Sequence, residues 1–401
     1  MLDLSKLARQ MQGISDHLTQ EAEAGRRRVE IAQQLMAQAT THQALLVEQL
    51  NQQRVGGASQ NGSRLLFAAA EPIEPLDTKI ALDIAPKAHT VLSSDGSQIS
   101  PSHHEIAYCY LLNISRVIIH YGQSRYPLLD SLPEVIYRPE DLYASRKWGI
   151  QTEEWMGYKR TAAEAVMLGE LGHACAKTSD VPTVAMTDGS LIYWFLEQIP
   201  AAARDEILNP VLDAWDQLRQ AKVPVMGYIS ASRSSEALNF LRLQACPFEQ
   251  PNCMAHCEDR RNETPCNPFS PLRDVTLWST ALSPGERGPI WKSSAEILSG
   301  YGEHAVYFCY VHVGAEVARI EFPQWVIEDN RLFNSALSLM LAQVQKGFGY
   351  PVALAEAHNQ AVVRGSDRTR FFTLLEQEMI RAGLKNVGTS FKEARKRGSI
   401  A

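Results

Sequence analysis

The chain has 401 residues, 45% of them hydrophobic and 21% charged, and a formal net charge of -6. A chain of this length and composition is globular, can bury a large core without disulfide staples, and does not hold nucleic acid through bulk positive charge. No stretch approaches eighteen consecutive apolar residues, which excludes a membrane span on this reading.

The start, MLDLSKLARQMQG, has no apolar run after its charges, so no signal peptide is expected. With seven cysteines, an odd number, the expectation is reduced thiols in the cytoplasm. Basic residues cluster locally at Arg26 to Arg28, Arg146 with Lys147, Lys159 with Arg160, Arg364 through Arg370, and Lys392 to Arg397. Such clusters guide a charged strand even when the total is negative, or simply form solvated faces.

Residues 1–55 lack Pro and repeat apolar positions at helical spacing, which predicts a helical arm of one long helix or two. The arm serves dimerisation or docking, or packs on the main domain. GGASQNGS opens a linker over 56–74, and the main domain runs over 75–401. HTVLSS (89–94) reads as a strand ending in a turn at Asp95-Gly96-Ser97. IAYCYLLNISRVIIHYG (106–122) reads as two strands joined through Asn113-Ile114-Ser115.

A helix is predicted from Glu153 to about Ala176. VPTVAMT (181–187) is a strand ending in a second turn, Asp188-Gly189-Ser190. The helix LNPVLDAWDQLRQAKV and the strand VPVMGYIS follow, the pattern of an α/β unit. Residues 246–271 form a loop rich in Cys, Pro and Asn. HAVYFCYVHVG and AEVARIEFP make a hairpin, and helices dominate from Arg331 onward.

Two strands that each end in Asp-Gly-Ser carry a chemical expectation. A carboxylate at the end of a rigid strand has little side-chain entropy left to lose, and the Gly leaves room for a phosphate or metal. If the strands are neighbours, Asp95 and Asp188 face one another across a divalent ion. Mg²⁺ and Mn²⁺ prefer oxygen ligands and serve phosphodiester hydrolysis. Asp-Gly is also a common turn dipeptide, so the structural alternative stays open.

SSDGSQISPSHHEIAYCYLLNISRVIIHYG resembles the first motif of the NurA nucleases, and VAMTDGSLIYW resembles the second. VPVMGYISASRS, LRDVTLWSTALSPGERGPIW and YPVALAEAHNQAVVRGSDRTRFF are similar to later family segments, in order, from about residue 89 to 375. The resemblance implies an α/β fold with an RNase H-like mixed sheet flanked by helices. It implies Mn²⁺-dependent (or Mg²⁺-dependent) cleavage of DNA by 5′ to 3′ exonuclease and single-strand endonuclease action. It further implies end resection at double-strand breaks, a HerA-type hexameric ATPase as partner and a homodimer, away from membranes.

Carried over by position, Asp95 and Asp188 are metal ligands and His358 binds metal or the scissile phosphate. A helical glutamate completes the set. Glu170 is the expected one and Glu164 the rival, and being six apart they differ by about 240° around a helix, so only one can face the site. Tyr228 either contacts DNA or metal-bound water or is a buried strand Tyr, and Arg233, Arg364 and Arg368 are the other expected DNA contacts. Ser94 and Gly288 depart from the family pattern, which usually has an apolar residue and a Ser there.

Cys246, Cys253, Cys257 and Cys266 crowd one loop beside His256. Four thiolates can enclose Zn²⁺ or an iron–sulfur cluster, although the spacing is not that of paired Cys-x-x-Cys ribbons. Scattered thiols and a disulfide are the alternatives. Two other functions fit the same residues: a catalytically silent adaptor that binds DNA ends and docks on the ATPase, and a phosphodiesterase acting on RNA.

Overall fold

Residues His89–Ser93 (β1) are all buried, as a strand covered on both faces requires, and the rest of its sheet is built around it. The computed structural model describes residues 3–11, 13–56, 65–100, 109–260 and 264–383. The predicted linker between 57 and 64 and the basic cluster Lys392 to Arg397 lie outside the described residues. The chain divides into two units. One comprises 1–82, 229–295 and 305–321, and the other 83–228, 296–304 and 322–401.

The second unit carries both Asp-Gly-Ser motifs. After β1 come Gly96–Ile99 (β2), Tyr110–Tyr121 (β3) and Leu128–Ile136 (β4). Helix Thr152–Ala176 (α1), strand Thr183–Asp188 (β5), helix Ala201–Gln220 (α2) and strand Val225–Ile229 (β6) follow. Helices Asn330–Lys346 (α3), Val352–Ala361 (α4) and Gly365–Arg381 (α5) complete it. Strands β3 and β4 are antiparallel neighbours, β3 is antiparallel to β1, and β1, β5 and β6 are mutually parallel in that order. This is the expected RNase H-like mixed sheet. Helix α1 packs on α2, and α4 packs on β3.

Two sequence expectations are corrected here. Residues 110–121 form one uninterrupted strand, with the turn to its partner at Gly122 to Pro127. Asn113, Ile114 and Ser115 pair continuously with β4, so no hairpin turn is available to them. The first Asp-Gly-Ser is likewise no turn. Ser93 faces Val117 and Gly96 faces Ile114, so register runs on unbroken and the chain passes straight through Asp95.

In the first unit, the N-terminal arm is one long helix, Ile14–Gly56, after a short one at Leu4–Gln10. Ala32, Ala39, Leu46 and Leu50 recur at seven, seven and four residues, a single stripe. That stripe is buried in a core with Phe240, Trp278, Trp291, Phe308 and Tyr310. The second half of the arm is therefore core, while Leu4, Leu7, Met11, Ile14 and Leu18 are exposed. Residues 1–82 group with 229–295 and 305–321, a different partition from the predicted one at 56–74.

The segment LRDVTLWS supplies the carboxylate that organises this core. Asp274 is fully buried and accepts hydrogen bonds from the backbone N–H of Ala237 (3.1 Å) and Leu238 (2.8 Å) and from the Tyr310 hydroxyl (2.7 Å). It thereby satisfies the free donors at the start of helix Glu236–Gln244, whose N-cap Ser235 makes no side-chain cap. Buried Arg319 donates to Glu236 (2.9 Å) and Glu321 (2.8 Å) and lies over the Phe308 ring. Gly288 is explained by packing, since a Cβ there would meet the Trp278 ring at 3.1 Å.

Asp274→Ala leaves two buried backbone donors without partners and removes the acceptor of the Tyr310 hydroxyl. It is expected to cost about 3 kcal/mol or more. Urea unfolding of the variant beside wild type measures this; an unchanged midpoint would contradict the role assigned to Asp274.

Candidate active site

Asp95 sits where β1 gives way to β2 and is fixed by backbone bonds on both sides. Its N–H donates to the Ser115 hydroxyl (2.8 Å), and its carbonyl accepts from Ser115 N–H (2.8 Å). Ser94, the residue that departs from an apolar pattern, is buried and donates its hydroxyl to the Ser115 carbonyl at 2.8 Å. These bonds hold the strand straight while the Asp95 side chain projects, 29% exposed.

The next residue has to be glycine. A Cβ on Gly96 would lie 2.6 Å from both Arg160 Cγ and Glu164 Oε1, side chains of helix α1. The Gly96 N–H donates to the Asp95 carboxylate at 2.8 Å and, so close to helix α1, also favours the charged form of Glu164. Glu164 also pairs with Arg160 at 3.2 Å, one helical turn back.

Asp188 ends β5, and Gly189 at φ +113° then turns the chain away, as the sequence predicts for the second motif. Because β1 and β5 are parallel neighbours, Asp95 and Asp188 leave the sheet from the same end. Both line one cavity of about 490 Å³, together with Glu164, Arg160, Tyr193, Trp194 and Phe195. Only 17% of the Glu164 side-chain surface stays exposed. Loss of water pushes its carboxyl up to about 8. The negative charges of Asp95 and Asp188 push the same way, against the pull of Arg160 and the Gly96 N–H.

From helix α4, His358 places Nδ1 3.1 Å from the Asp95 carboxylate. The end of that helix is tied to the sheet: Asn113 Nδ2 donates to the Ala361 carbonyl at 2.8 Å, and the Ser97 hydroxyl donates to the same oxygen. The expected Asp95, Asp188 and His358 are thus brought together.

Glu170 is not with them. It lies on the exposed face of α1, within electrostatic reach of Arg116 on β3, and takes no part in the cavity. Glu164 fills the place expected of Glu170. The signal was in the helix pattern. Thr161, Ala165 and Leu168 line the cavity beside Glu164, whereas Glu170 has exposed His173 and Ala174 at its following turn.

Tyr228 is fully buried and meets Tyr350 edge-on at 5.8 Å, so its ring is turned into the core rather than toward DNA. Arg233 is exposed in the other unit. Arg364 is exposed at the start of α5, and Arg368 lies over the Phe372 ring, both shortly after the His358 helix.

Cys246, Cys253, Cys257 and Cys266 do come within electrostatic range of each other, but as free thiols. Among the described residues no group of three or more His, Cys, Asp or Glu side chains is drawn closely enough to enclose an ion. The expected zinc or iron–sulfur site is therefore not supported. Arg242 occupies this corner instead, stacked on Phe67 and donating to Thr264 Oγ1 (3.0 Å) and Cys266 Sγ (3.7 Å).

The three carboxylates are a different case. Asp95, Glu164 and Asp188 share one cavity without closing into such a group, and their hard oxygen donors suit Mn²⁺ or Mg²⁺. A carboxyl buried against two others, with its proton retained near neutral pH, is the arrangement a divalent cation would relieve.

The family model of the NurA domain matches residues 89–363, more than half of the chain. The chain belongs to the NurA family. Its NurA domain opens on β1 and closes just past α4, so Asp95, Glu164, Asp188 and His358 all fall within it. No curated protein matches. Among solved structures the chain is similar to the NurA nuclease from Sulfolobus solfataricus, at 12% identity over 76% of this chain and 88% of that one, TM-score 0.46. A NurA with manganese matches at 9% identity over 88% and 99%, TM-score 0.39. A NurA bound to dAMP and manganese matches at 10% over 75% and 88%, TM-score 0.36. Among the described residues, no helix is long and apolar enough to cross a membrane.

The raised Glu164 carboxyl has a stability consequence with a definite sign. Unfolded, the group titrates near 4.5; folded, near 8. Between those values the folded state holds the extra proton, so metal-free stability falls as pH rises through the window. The loss is on the order of a few kcal/mol. Urea unfolding at pH 5.5 to 8.5 in EDTA should show this decline in wild type and a flatter profile in Glu164→Gln. Parallel profiles would mean that Glu164 is solvated and unperturbed.

Proposed function

We propose that this NurA-family chain is a metal-dependent deoxyribonuclease. The observation that carries the reading is the convergence of Asp95, Glu164 and Asp188 on one cavity at the ends of two parallel strands. Three carboxylates on one wall repel any phosphate unless a cation stands between, so the arrangement makes chemical sense as a cation holder facing a phosphodiester.

Asp95, Glu164 and Asp188 hold Mn²⁺ or Mg²⁺ in this proposal. Bound there, the metal supplies positive charge to activate a water and to stabilise the leaving oxygen. The rest falls to the chain. Ser115 and the Gly96 N–H fix the donors in place. His358, oriented by Asp95 through Nδ1, is left to hold or pass a proton at the scissile phosphate through Nε2. Arg364 and Arg368 sit where they can attract the DNA backbone, a term that salt weakens.

Family membership further favours end resection, with 5′ to 3′ exonuclease and single-strand endonuclease action. It also favours homodimerisation and cooperation with a HerA-type hexameric ATPase.

Labelled linear DNA incubated with Mn²⁺, Mg²⁺ or EDTA tests the proposal. Cleavage should require metal and fall roughly a hundredfold or more in Asp95→Asn, Glu164→Gln and Asp188→Asn. Glu170→Gln should cut within a few-fold of wild type. A folded wild type that leaves DNA intact even beside its ATPase would instead indicate an adaptor. Faster cleavage of a matched RNA would indicate a ribonuclease.

A further inference from the structure

The cavity that holds the carboxylates is also lined by the aromatic run Tyr193-Trp194-Phe195, whose members differ in what they touch. Tyr193 is buried, with its N–H donating to the Tyr301 hydroxyl (2.9 Å) and its ring tilted against Trp215. Phe195 stacks on Tyr158 at 4.6 Å and 11°. Tyr301 in turn donates to the Leu191 carbonyl at 3.1 Å. Together these contacts pin the segment that follows Asp188 from behind.

Trp194 lies between them and is held to the surface. Its side chain is 40% exposed at the cavity, and among the described residues no ring stacks on it. Its backbone, by contrast, is fixed: its N–H donates to the Ile192 carbonyl, and it begins the short helix Trp194–Gln198. Tyr193 is buried and half-buried Phe195 is stacked on Tyr158, so of the three Trp194 is the one exposed with its ring unstacked. Leaving that much apolar surface in water costs free energy that burial beside Tyr193 would recover.

We propose that Trp194 is a stacking platform for an unpaired base next to the phosphate held at the carboxylates, so the site takes a single strand or a frayed end in preference to a paired one. The proposal rests on the nuclease reading and deepens it by naming the side chain that would select the single-stranded form. Base faces stack on an aromatic ring whatever their sequence. A base inside a duplex is already stacked on both sides, so engaging Trp194 first requires unpairing it. The cavity volume, about 490 Å³, falls in the range of small-molecule sites and is far below what a duplex would need.

The test uses the full chain with Ca²⁺ in place of Mn²⁺, so that a cation offsets the carboxylates, and the strand is checked to stay intact while binding is read. A fluorescently labelled ten-nucleotide DNA strand, and the same strand with abasic positions, are titrated by anisotropy against wild type, Trp194→Phe and Trp194→Ala. Urea midpoints check that both variants fold. Wild type and Trp194→Phe should bind the intact strand about tenfold or more tightly than the abasic one, and Trp194→Ala should lose that discrimination. In Mn²⁺, Trp194→Ala should also cut single strands more slowly than wild type and Trp194→Phe.

Equal discrimination in Trp194→Ala and wild type would overturn the stacking role and leave the nuclease reading standing. So would a Trp194→Ala variant with normal DNA binding but an altered oligomeric state, which would make Trp194 a subunit contact. Wild type that neither binds nor cuts DNA would overturn both.

Discussion

Everything at the site follows from one electrostatic constraint: Glu164 is held close to Asp95 and Asp188 with too little water to keep all three charged. The fold enforces the arrangement. Parallel neighbours β1 and β5 deliver the two aspartates at the same end of the sheet. The missing side chain at Gly96 lets helix α1 press its glutamate against them. An apolar residue in place of Glu164 would relieve the repulsion and would be the better choice if stability alone were at stake. The chain instead carries a buried carboxyl that its pairing with Arg160 compensates only in part, the kind of strain that collects at functional sites.

The remainder of the unit keeps these donors in register. Ser94 and Ser115 exchange bonds that hold the chain straight through Asp95. Asn113 and Ser97 fasten the end of α4, and so His358 is set against Asp95 at 3.1 Å. These polar residues stand on strands where apolar ones would pack as well. Their hydrogen bonds account for them, and the Ser at position 94 ceases to be an anomaly.

Much of the site was legible in the sequence because the two Asp-Gly-Ser motifs and the Glu-Ala-His helix announce themselves locally. The alternating pattern around them placed the central strands and helices correctly. What failed depended on long-range partners. Glu164 and Glu170 are indistinguishable by propensity, and the choice turns on which stripe of α1 meets the cavity. Residues 110–121 look divisible at Asn113-Ile114-Ser115 until β4 is seen to pair with every one of them. Tyr228 is exposed or buried according to what covers β6, and Tyr350 is far away in sequence. The four cysteines do gather as their crowding suggested, yet Arg242, four residues before the first of them and stacked on the distant Phe67, takes up polar contacts there.

The central claim is that the three carboxylates form a cation site whose metal-free charge is relieved by keeping a proton on Glu164. Counting the protons released when Mn²⁺ is added near pH 7, in weakly buffered solution, tests it most directly. About one proton per chain should be released by wild type, because a group titrating near 8 is still mostly protonated at that pH and must lose its proton to bind metal. Glu164→Gln should release none, while Glu170→Gln should behave as wild type. Mn²⁺ binding with no proton release from wild type, or release that persists in Glu164→Gln, would contradict the account.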